Sequence, residues 1–271
     1  MKSTSIALVP CLTAEQLHTR LLAHSAYRSL ALDEQKSLVR ALFNNHNVDS
    51  ALNDENWTAL MALANLKHRG SEEAKTLAMC AEFFCAKGAD VNLKDARGRG
   101  ALWRACINAN EELVNVLLKH GADANETVDK VTVLMQAAAN ANVRTCQSLV
   151  EAGAEVNALT ANKNTALMYA ADNANVETFQ FLLMHGANSA AVDLRNWSVL
   201  DYANAAVRKS KRAGTGLNQE YAERAFMIVK LIELAPSLEN LQKGMATPIP
   251  GILDELSVSS PAETFRRKPV L

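Results

Sequence analysis

Apolar residues recur along this chain in pairs of short blocks, each with the spacing of a helix face. In one copy the second block contains apolar side chains three or four residues apart, namely Leu113, Val114, Val116, Leu117 and Leu118. The first block of a pair is rich in small residues, as at 168–171, and an Ala-Asn turn such as 109–110 separates the two blocks. The pattern predicts a unit of two short helices joined by a turn.

Two landmarks repeat in phase with these blocks. Gly-Ala-Asp and its variants begin 33, 32 and 33 residues apart, at Gly88, Gly121, Gly153 and Gly186. A small or hydroxyl residue followed by Ala or Val and then Leu begins 42, 32, 33 and 33 residues apart, at Thr58, Gly100, Thr132, Thr165 and Ser198. A period near 33 predicts one supersecondary unit that stacks on copies of itself, so that the protein works through an extended surface.

Each landmark has a physical role in such a unit. A threonine such as Thr165 can accept a backbone N–H at the start of the first helix. The glycine of Gly-Ala-Asp ends the second helix, where a left-handed residue is favoured. The Asp-x-Asn that follows, as at Asp123 and Asn125, suits an extended turn held by side-chain-to-backbone hydrogen bonds.

Composition narrows the classes of function. The 271 residues are 49% hydrophobic and 21% charged with a formal net charge of −1, which favours neither nucleic acid nor an anionic membrane as partner. No apolar run approaches the roughly 20 residues that a membrane span needs. No C-x-x-C pair occurs, which predicts reduced thiols and no metal site for Cys11, Cys80, Cys85, Cys106 and Cys146. No catalytic motif or phosphate-binding glycine loop occurs, so we predict a non-enzymatic protein without a cofactor.

The repeats resemble those of the ankyrin family. The family pattern T-P-L-H-x-A is matched as T-A-L-M-x-A at 165–170 and, with leucine at the last position, at 58–63, within five copies that cover about 46–235. The resemblance implies an all-α ankyrin-repeat solenoid of helix-turn-helix units with short β-hairpin-like loops. In the family a histidine bonds neighbouring helices. Its position is held here by Met61, Trp103, Met135, Met168 and Asp201, and the methionines and the tryptophan must use packing instead.

The resemblance also divides the chain into three parts. We expect a helical N-terminal capping region at 1–45, five repeats at 46–235 and a C-terminal tail, partly disordered, at 236–271. Extra residues near 65–76 and 207–224 interrupt the first and the fifth repeat.

In this family the hairpin tips and the exposed side of the first helices form a concave binding surface. The resemblance therefore implies partner-binding roles for Trp57, Lys94, Arg97, Arg99, Ile107, Asn108, Lys130, Asn140, Asn162, Asn173, Arg195 and Trp197. The last two hairpins also offer Leu159, Val192 and Leu194. Trp and Arg are frequent at interface hot spots, but each Trp ring can instead fold back over a neighbouring hairpin. The hairpin arginines suit an acidic partner or are ordinary solvated charges.

Two further groups of residues have alternative interpretations. A basic loop in the fifth-copy insertion would bind phosphates, serve nuclear import or contact a membrane surface, or it is simply solvated; it contains Arg208, Lys209, Lys211 and Arg212. Three asparagines match the position that an asparaginyl hydroxylase modifies in eukaryotic ankyrin repeats, although the same residue stabilises the hairpin without modification. They are Asn92, Asn125 and Asn157.

The resemblance implies a module that binds another protein and takes no small-molecule substrate. The T-A-L-M-x-A variant and the short C-terminal tail also resemble ankyrin proteins that intracellular bacteria deliver into host cells. We therefore expect a cytoplasmic protein, in the host cytosol if it is such an effector. Two alternatives stay open: a nuclear or phosphate-associated regulator that uses the basic loop, and an enzyme or enzyme-modifying subunit whose best nucleophile candidates are Cys106 and Cys146.

Overall fold

A computed structural model describes the repeat-bearing part of the chain. The described residues are Tyr27, Asp49, 55–140, 142–209, the backbone of 210–212, Tyr221 and 223–232. The predicted capping region at 1–45 lies outside them except for Tyr27, and the predicted tail at 236–271 lies wholly outside them.

Helices arranged in pairs dominate the described residues. The elements follow one another as α1 (Ala59–Asn65), α2 (Ser71–Ala86), α3 (Ala101–Ile107), α4 (Glu111–Lys119), β1 (Thr127–Val128), β2 (Val131–Thr132), α5 (Val133–Ala139), α6 (Val143–Glu151), α7 (Ala166–Asp172), α8 (Val176–Met184) and α9 (Val199–Arg212). Residues 223–232 are also helical. The odd-numbered helices are the first helices of their repeats, and the even-numbered ones are the second helices.

The helices stack in two layers. Each first helix packs on the first helix of the next repeat, from α1 through α3, α5 and α7 to α9, and α2, α4, α6 and α8 form the second layer. One continuous apolar core runs through the stack from Tyr27 to Leu231. Buried alanines such as Ala105, Ala138 and Ala171 let neighbouring helices approach closely. The predicted all-α solenoid of helix pairs is confirmed.

Polar side chains cap the helices as the sequence predicts. Thr58, Thr132 and Thr165 each accept the backbone N–H of the methionine three residues further on, at 3.3, 3.1 and 3.3 Å. Asn110 and Asn142 cap second helices in the same way, at 3.1 and 3.0 Å. Each cap satisfies an N–H that the helix leaves unpaired and contributes about 1 kcal/mol.

Gly100 replaces the threonine cap in the second repeat, and Glu126 of the next repeat explains why. The Glu126 Oε1 atom accepts the Gly100 N–H at 2.6 Å. A Cβ atom on Gly100 would lie 2.8 Å from the same oxygen. Because Gly100 has φ of −90°, which suits any residue, the glycine is required by this contact and not by the backbone.

We expect Gly100→Thr to lower the free energy of unfolding by about 1 kcal/mol, since the added atoms overpack the buried Glu126 carboxylate. In a Glu126→Ala background the same threonine should instead raise that free energy by about 1 kcal/mol, because it caps α3. Urea unfolding of the four proteins of this double-mutant cycle measures both effects. The same change in both backgrounds would contradict the explanation.

A ladder of asparagines joins the repeats at the ends of the second helices. The Nδ2 atom of Asn92 donates to the Gly121 carbonyl at 3.0 Å, and its Oδ1 atom accepts the Asp123 N–H at 2.9 Å. Asn125 and Asn157 make the corresponding pairs of bonds in the next two repeats. The three accepting glycines have φ between 83° and 90°, in the left-handed region predicted for them. Hydroxylation of these asparagines stays a prediction.

The hairpin loops differ in length, and the two lengths have different backbone conformations. In the first, second, fourth and fifth repeats one loop residue has φ between 60° and 74°, and these residues are Asn56, Gly98, Lys163 and Asn196. The third hairpin is one residue shorter and forms β1 and β2, with Val128 paired to Val131. Its two turn residues, Asp129 and Lys130, both have positive φ, as a two-residue turn with the twist of a hairpin requires.

The extra residues of the first repeat are divided between a loop and a longer helix. α2 has 16 residues, whereas α4, α6 and α8 have nine each. The segment at 66–70 links α1 to this longer helix. The predicted insertion near 65–76 therefore includes the first residues of α2.

Candidate partner-binding surface

Backbone hydrogen bonds join neighbouring hairpin tips at both ends of the stack. The Ala96 N–H donates to the Glu55 carbonyl at 2.9 Å, and the Leu194 N–H donates to the Asn162 carbonyl at 3.0 Å. The first two tips are thus bonded to each other, as are the last two, and the five tips together form a row beside the first helices. The twelve residues predicted to bind a partner lie in this row or at the ends of the first helices.

A buried aspartate organises the second hairpin. The Asp95 carboxylate accepts the backbone N–H groups of Arg97 and Arg99 at 2.8 and 2.9 Å, and the Arg99 Nε atom at 3.1 Å. The Arg104 guanidinium, which is also buried, pairs with the same carboxylate. Burial acts to raise the pKa of Asp95, but these N–H donors and the guanidinium overcome it and hold the pKa below its usual value.

Arg104 connects this hairpin to the preceding one. Its guanidinium lies 3.7 Å from the centre of the Trp57 ring, and its Nη1 atom donates to Asn65 Oδ1 at 3.3 Å. The Trp57 Nε1–H donates to Glu55 at 3.0 Å, and Arg97 pairs with the other Glu55 oxygen at 2.9 Å. One face of Trp57 is thus covered from within the protein, which agrees with the interpretation that this ring folds over a neighbouring hairpin. Its role in partner binding stays a prediction.

The fifth hairpin has a second cluster built on the same plan. Asp193 accepts the backbone N–H groups of Arg195 and Trp197, each at 2.8 Å, and the Tyr202 hydroxyl at 2.9 Å. Burial acts to raise its pKa, but these donors and the Arg195 side chain lower it to about 2. The Trp197 ring meets Tyr202 edge-on, with ring centroids 5.5 Å apart. Unlike Trp57, Trp197 remains exposed at the row's end.

Four residues at the centre of these clusters were not among the predicted site residues: Asp95, Arg104, Asp193 and Tyr202. A signal for them is present in the sequence. Asp-x-Arg occurs at 95–97 and again at 193–195, and in both repeats the residue nine positions after the aspartate contacts its carboxylate. Because these residues organise the tips from below, they set the geometry of the exposed residues above them.

Several predicted site residues contact the neighbouring repeat. Lys94 pairs with Glu126 of the next hairpin at 3.2 Å. Asn108 donates to the Ala64 carbonyl at 3.0 Å, and Asn140 donates to the Ile107 carbonyl at 3.3 Å, so both amides cover the end of the preceding first helix. Asn173 donates to the carbonyl of Tyr169 within its own helix at 2.9 Å.

The other predicted positions leave their side chains at the surface. Ile107 is exposed at the end of α3, and Lys130 and Asn162 are exposed at the tips of their hairpins. The surface thus separates into side chains that join repeats and side chains that face solvent. The second group is available for contacts with a partner, and so are the exposed parts of Arg97, Arg195 and Trp197.

The prediction that the basic residues form a loop is wrong, because they are helical. The residues Arg208, Lys209, Lys211 and Arg212 lie in the last turns of α9, which ends at Arg212. Lys209 pairs with Asp172 of α7 at 2.5 Å, and the Tyr221 hydroxyl donates to the Asp172 carbonyl at 2.7 Å. Lys and Arg are good helix formers, so a basic run can continue a helix. The pairing gives Lys209 a role in holding the last repeat to the stack.

The cysteines considered as nucleophiles are buried thiols. Cys80, Cys106 and Cys146 are free and buried, as predicted. Burial raises the pKa of Cys106 well above its usual value and raises that of Cys146 to about 12. Because the thiolate is the nucleophile, such environments oppose reactivity. Among the described residues, no group of three or more His, Cys, Asp or Glu side chains is arranged to hold a metal ion.

Acid should weaken the hairpin clusters. The pKa values of Asp95 and Asp193 are lower in the folded state than the unfolded value of about 3.9. Their contribution to stability is therefore complete well above a pH of about 3.9 and is lost as the pH falls from about 4 toward 2. Urea unfolding between pH 7 and 3 should show a smaller acid loss for the Asp95→Asn/Asp193→Asn variant than for the wild type. Equal acid loss in both proteins would refute the assignment.

The solenoid of helix pairs, its hairpins and its asparagine ladder define a repeat protein that acts by binding. A family model described as ankyrin repeats in three copies matches residues 28–128, 71–160 and 134–208. The chain belongs to the ankyrin repeat family, whose members are generally non-enzymatic protein-interaction modules. The first match begins inside the segment 1–45 for which we expect a cap.

One curated relative shares a shorter stretch. The ankyrin repeat protein FPV244 of fowlpox virus (strain NVSL) is 35% identical over 80 residues, which are 29% of this chain and 12% of that protein. The chain thus matches about an eighth of that relative's length. Across the described residues, every helix is too short or too polar to cross a lipid bilayer.

Proposed function

We propose that this chain binds a partner protein through the concave surface formed by the hairpin tips and the exposed side of the first helices. The observation that supports this most directly is the bracing of the tips. Buried Asp95 and Asp193 fix the second and the fifth hairpin, and backbone bonds join each to the preceding hairpin. Preorganised side chains lose less entropy on binding, so this bracing favours recognition at the tips. We also propose the division into a cap at 1–45, repeats at 46–235 and a tail at 236–271.

Affinity capture with matched variants tests the surface. We expect Arg97→Ala/Lys130→Ala/Trp197→Ala to reduce capture of a partner by about tenfold or more, because aromatic and arginine side chains dominate interface energies. Trp57 is left unchanged, since its ring covers the buried Arg104 guanidinium. Arg144→Ala/Met184→Ala, two exposed positions on second helices, is the control. Quantitative mass spectrometry of the captured proteins gives the ratio, and wild-type capture by the folded hairpin variant would rule the surface out.

A finer proposal concerns the cell and compartment in which the chain acts. Its T-A-L-M-x-A repeats resemble those of ankyrin effectors of intracellular bacteria, which supports a role on host proteins in the host cytosol. A fusion to a calmodulin-dependent adenylate cyclase, expressed in an intracellular bacterium with an effector-secretion system, would raise cyclic AMP in infected cells. A fusion that stays in the bacterium would overturn the effector proposal while leaving the binding surface untouched.

A further inference from the structure

Four large apolar side chains are exposed on the hairpins of the fourth and fifth repeats. The exposed fractions of Leu159, Val192, Leu194 and Trp197 are 53%, 44%, 61% and 38%. Single exposed apolar residues are ordinary, whereas a group on neighbouring loops marks an interaction surface. These four residues are called the apolar patch below.

The repeat architecture does not require the apolar patch. Leu159 and Val192 hold the same hairpin position in their two repeats, and the second and third repeats have Lys94 and Thr127 there. The second repeat has Ala96 and Arg99 at the other two positions. The same hairpin therefore folds with polar or small residues, and the apolar side chains are a particular feature of the last two repeats.

Contacts from below hold the apolar patch in place. The Leu194 N–H donates to the Asn162 carbonyl at 3.0 Å, which fixes the two hairpin tips to each other. Trp197 packs edge-on against Tyr202, and the Arg195 guanidinium lies 4.7 Å from the centre of the Trp197 ring. An aromatic ring held in this way binds with little loss of side-chain entropy.

Beside the apolar patch, two cationic side chains are exposed to solvent and the carboxylate of Asp193 is buried. The Asp193 side chain is buried and is engaged by Arg195, Tyr202 and the hairpin backbone. The Arg195 side chain itself is 62% exposed. Lys163 is exposed on the adjacent hairpin and has no carboxylate partner among the described residues. The exposed Asp201 nearby accepts both the N–H and the hydroxyl of Ser198.

We propose that the apolar patch binds a segment of the partner in which a large apolar side chain lies beside a carboxylate. The apolar side chain packs on Leu194 and Trp197, and the carboxylate pairs with Arg195 or Lys163. Opposite charge steers the encounter, and apolar burial holds the complex. This inference rests on the proposed function, because it specifies the partner's chemistry at one end of the same surface.

Selection from a phage-displayed library of random heptapeptides, with the full chain as target, tests the inference. We expect recovered peptides to be enriched in Leu, Phe or Trp together with Asp or Glu. A synthetic, fluorescein-labelled copy of the most frequent peptide should bind Leu194→Glu and Lys163→Glu about tenfold more weakly in fluorescence anisotropy. Met184→Glu is the matched control, since Met184 is 60% exposed but ends the second-layer helix α8. Thermal unfolding followed by circular dichroism shows that each variant is folded.

Several results would overturn the inference. They are enrichment of Lys or Arg in the recovered peptides, absence of apolar residues from them, failure to recover any peptide, or wild-type affinity for Leu194→Glu. For any recovered peptide, Ile107→Glu in the second repeat then distinguishes the two proposals; if no peptide is recovered, affinity capture with the Arg97→Ala/Lys130→Ala/Trp197→Ala variant does so. If Ile107→Glu weakens the selected peptide, the concave surface binds partners and only the proposed chemistry is wrong. If neither end of the row affects the peptide, the proposed surface fails as well.

Discussion

Replacing Asp95 with alanine is expected to lower the free energy of unfolding by about 3–5 kcal/mol, the range for breaking one partner out of a buried ion pair. The carboxylate has no exposed surface, and it neutralises the buried Arg104 guanidinium. It also accepts two backbone N–H groups that shape the hairpin. Without it, Arg104 becomes an uncompensated buried cation, and the support beneath Trp57 is lost. Urea unfolding followed by circular dichroism measures the change.

Asp90→Ala is the matched control for Asp95→Ala. Asp90 is an exposed aspartate of the same repeat whose carboxylate accepts one N–H, from Asn92 at 2.9 Å. Asp90→Ala should therefore lower the free energy of unfolding by only about 1 kcal/mol. Arg104→Met completes a double-mutant cycle, and the Asp95→Ala/Arg104→Met protein should be less destabilised than the sum of the single changes. If Asp95→Ala costs no more than Asp90→Ala, the ion pair is not what stabilises this part of the stack.

Features that depend on one repeat at a time could be predicted from the sequence. The period near 33 located the helix pairs, and the threonine caps and left-handed glycines were found where local backbone chemistry requires them. Each depends on residues within a few positions of one another. A short segment therefore carries enough information to predict such a feature.

Contacts between repeats could not be predicted in the same way. Glu126 reaches Gly100 across 26 residues, and Arg104 reaches Trp57 in the preceding hairpin. Both contacts depend on how far one repeat is displaced against the next, which periodicity does not specify. The prediction of a basic loop at 208–212 was wrong for a different reason. The position of these residues in an insertion suggested a loop, but lysine and arginine favour helix.

For the candidate surface, the sequence located the row of hairpin tips but not the role of each residue in it. Lys94 was grouped with Leu159 and Val192 because the three hold corresponding positions. The structure shows that Lys94 bonds to the neighbouring repeat, while Leu159 and Val192 expose apolar surface. The same position can therefore join repeats in one copy and face solvent in another, depending on which residue the adjacent copy presents.

The asparagine ladder supplies the second large expected effect. Asn125→Ala should lower the free energy of unfolding by about 2 kcal/mol, because it removes two hydrogen bonds between the third and fourth repeats. Its Nδ2 atom donates to the Gly153 carbonyl at 3.1 Å, and its Oδ1 atom accepts the Glu155 N–H at 2.8 Å. In a stack where each repeat contacts only its neighbours, weakening one central interface also reduces cooperativity. The slope of the urea transition should therefore fall together with its midpoint.

Two further variants separate the ladder from general effects of an Asn-to-Ala change. Asn115 is exposed on α4 in the preceding repeat, and Asn115→Ala should change the free energy of unfolding by no more than about 0.5 kcal/mol. Asn125→Asp replaces the donor with a carboxylate oxygen that faces the Gly153 carbonyl oxygen, so it should lower the free energy of unfolding at least as much as Asn125→Ala. If Asn125→Ala and Asn115→Ala behave alike, helix packing alone holds the repeats in register. If they differ as expected, any modification that disturbs the Asn125 amide will weaken the centre of the stack, where the row of hairpins needs to stay aligned.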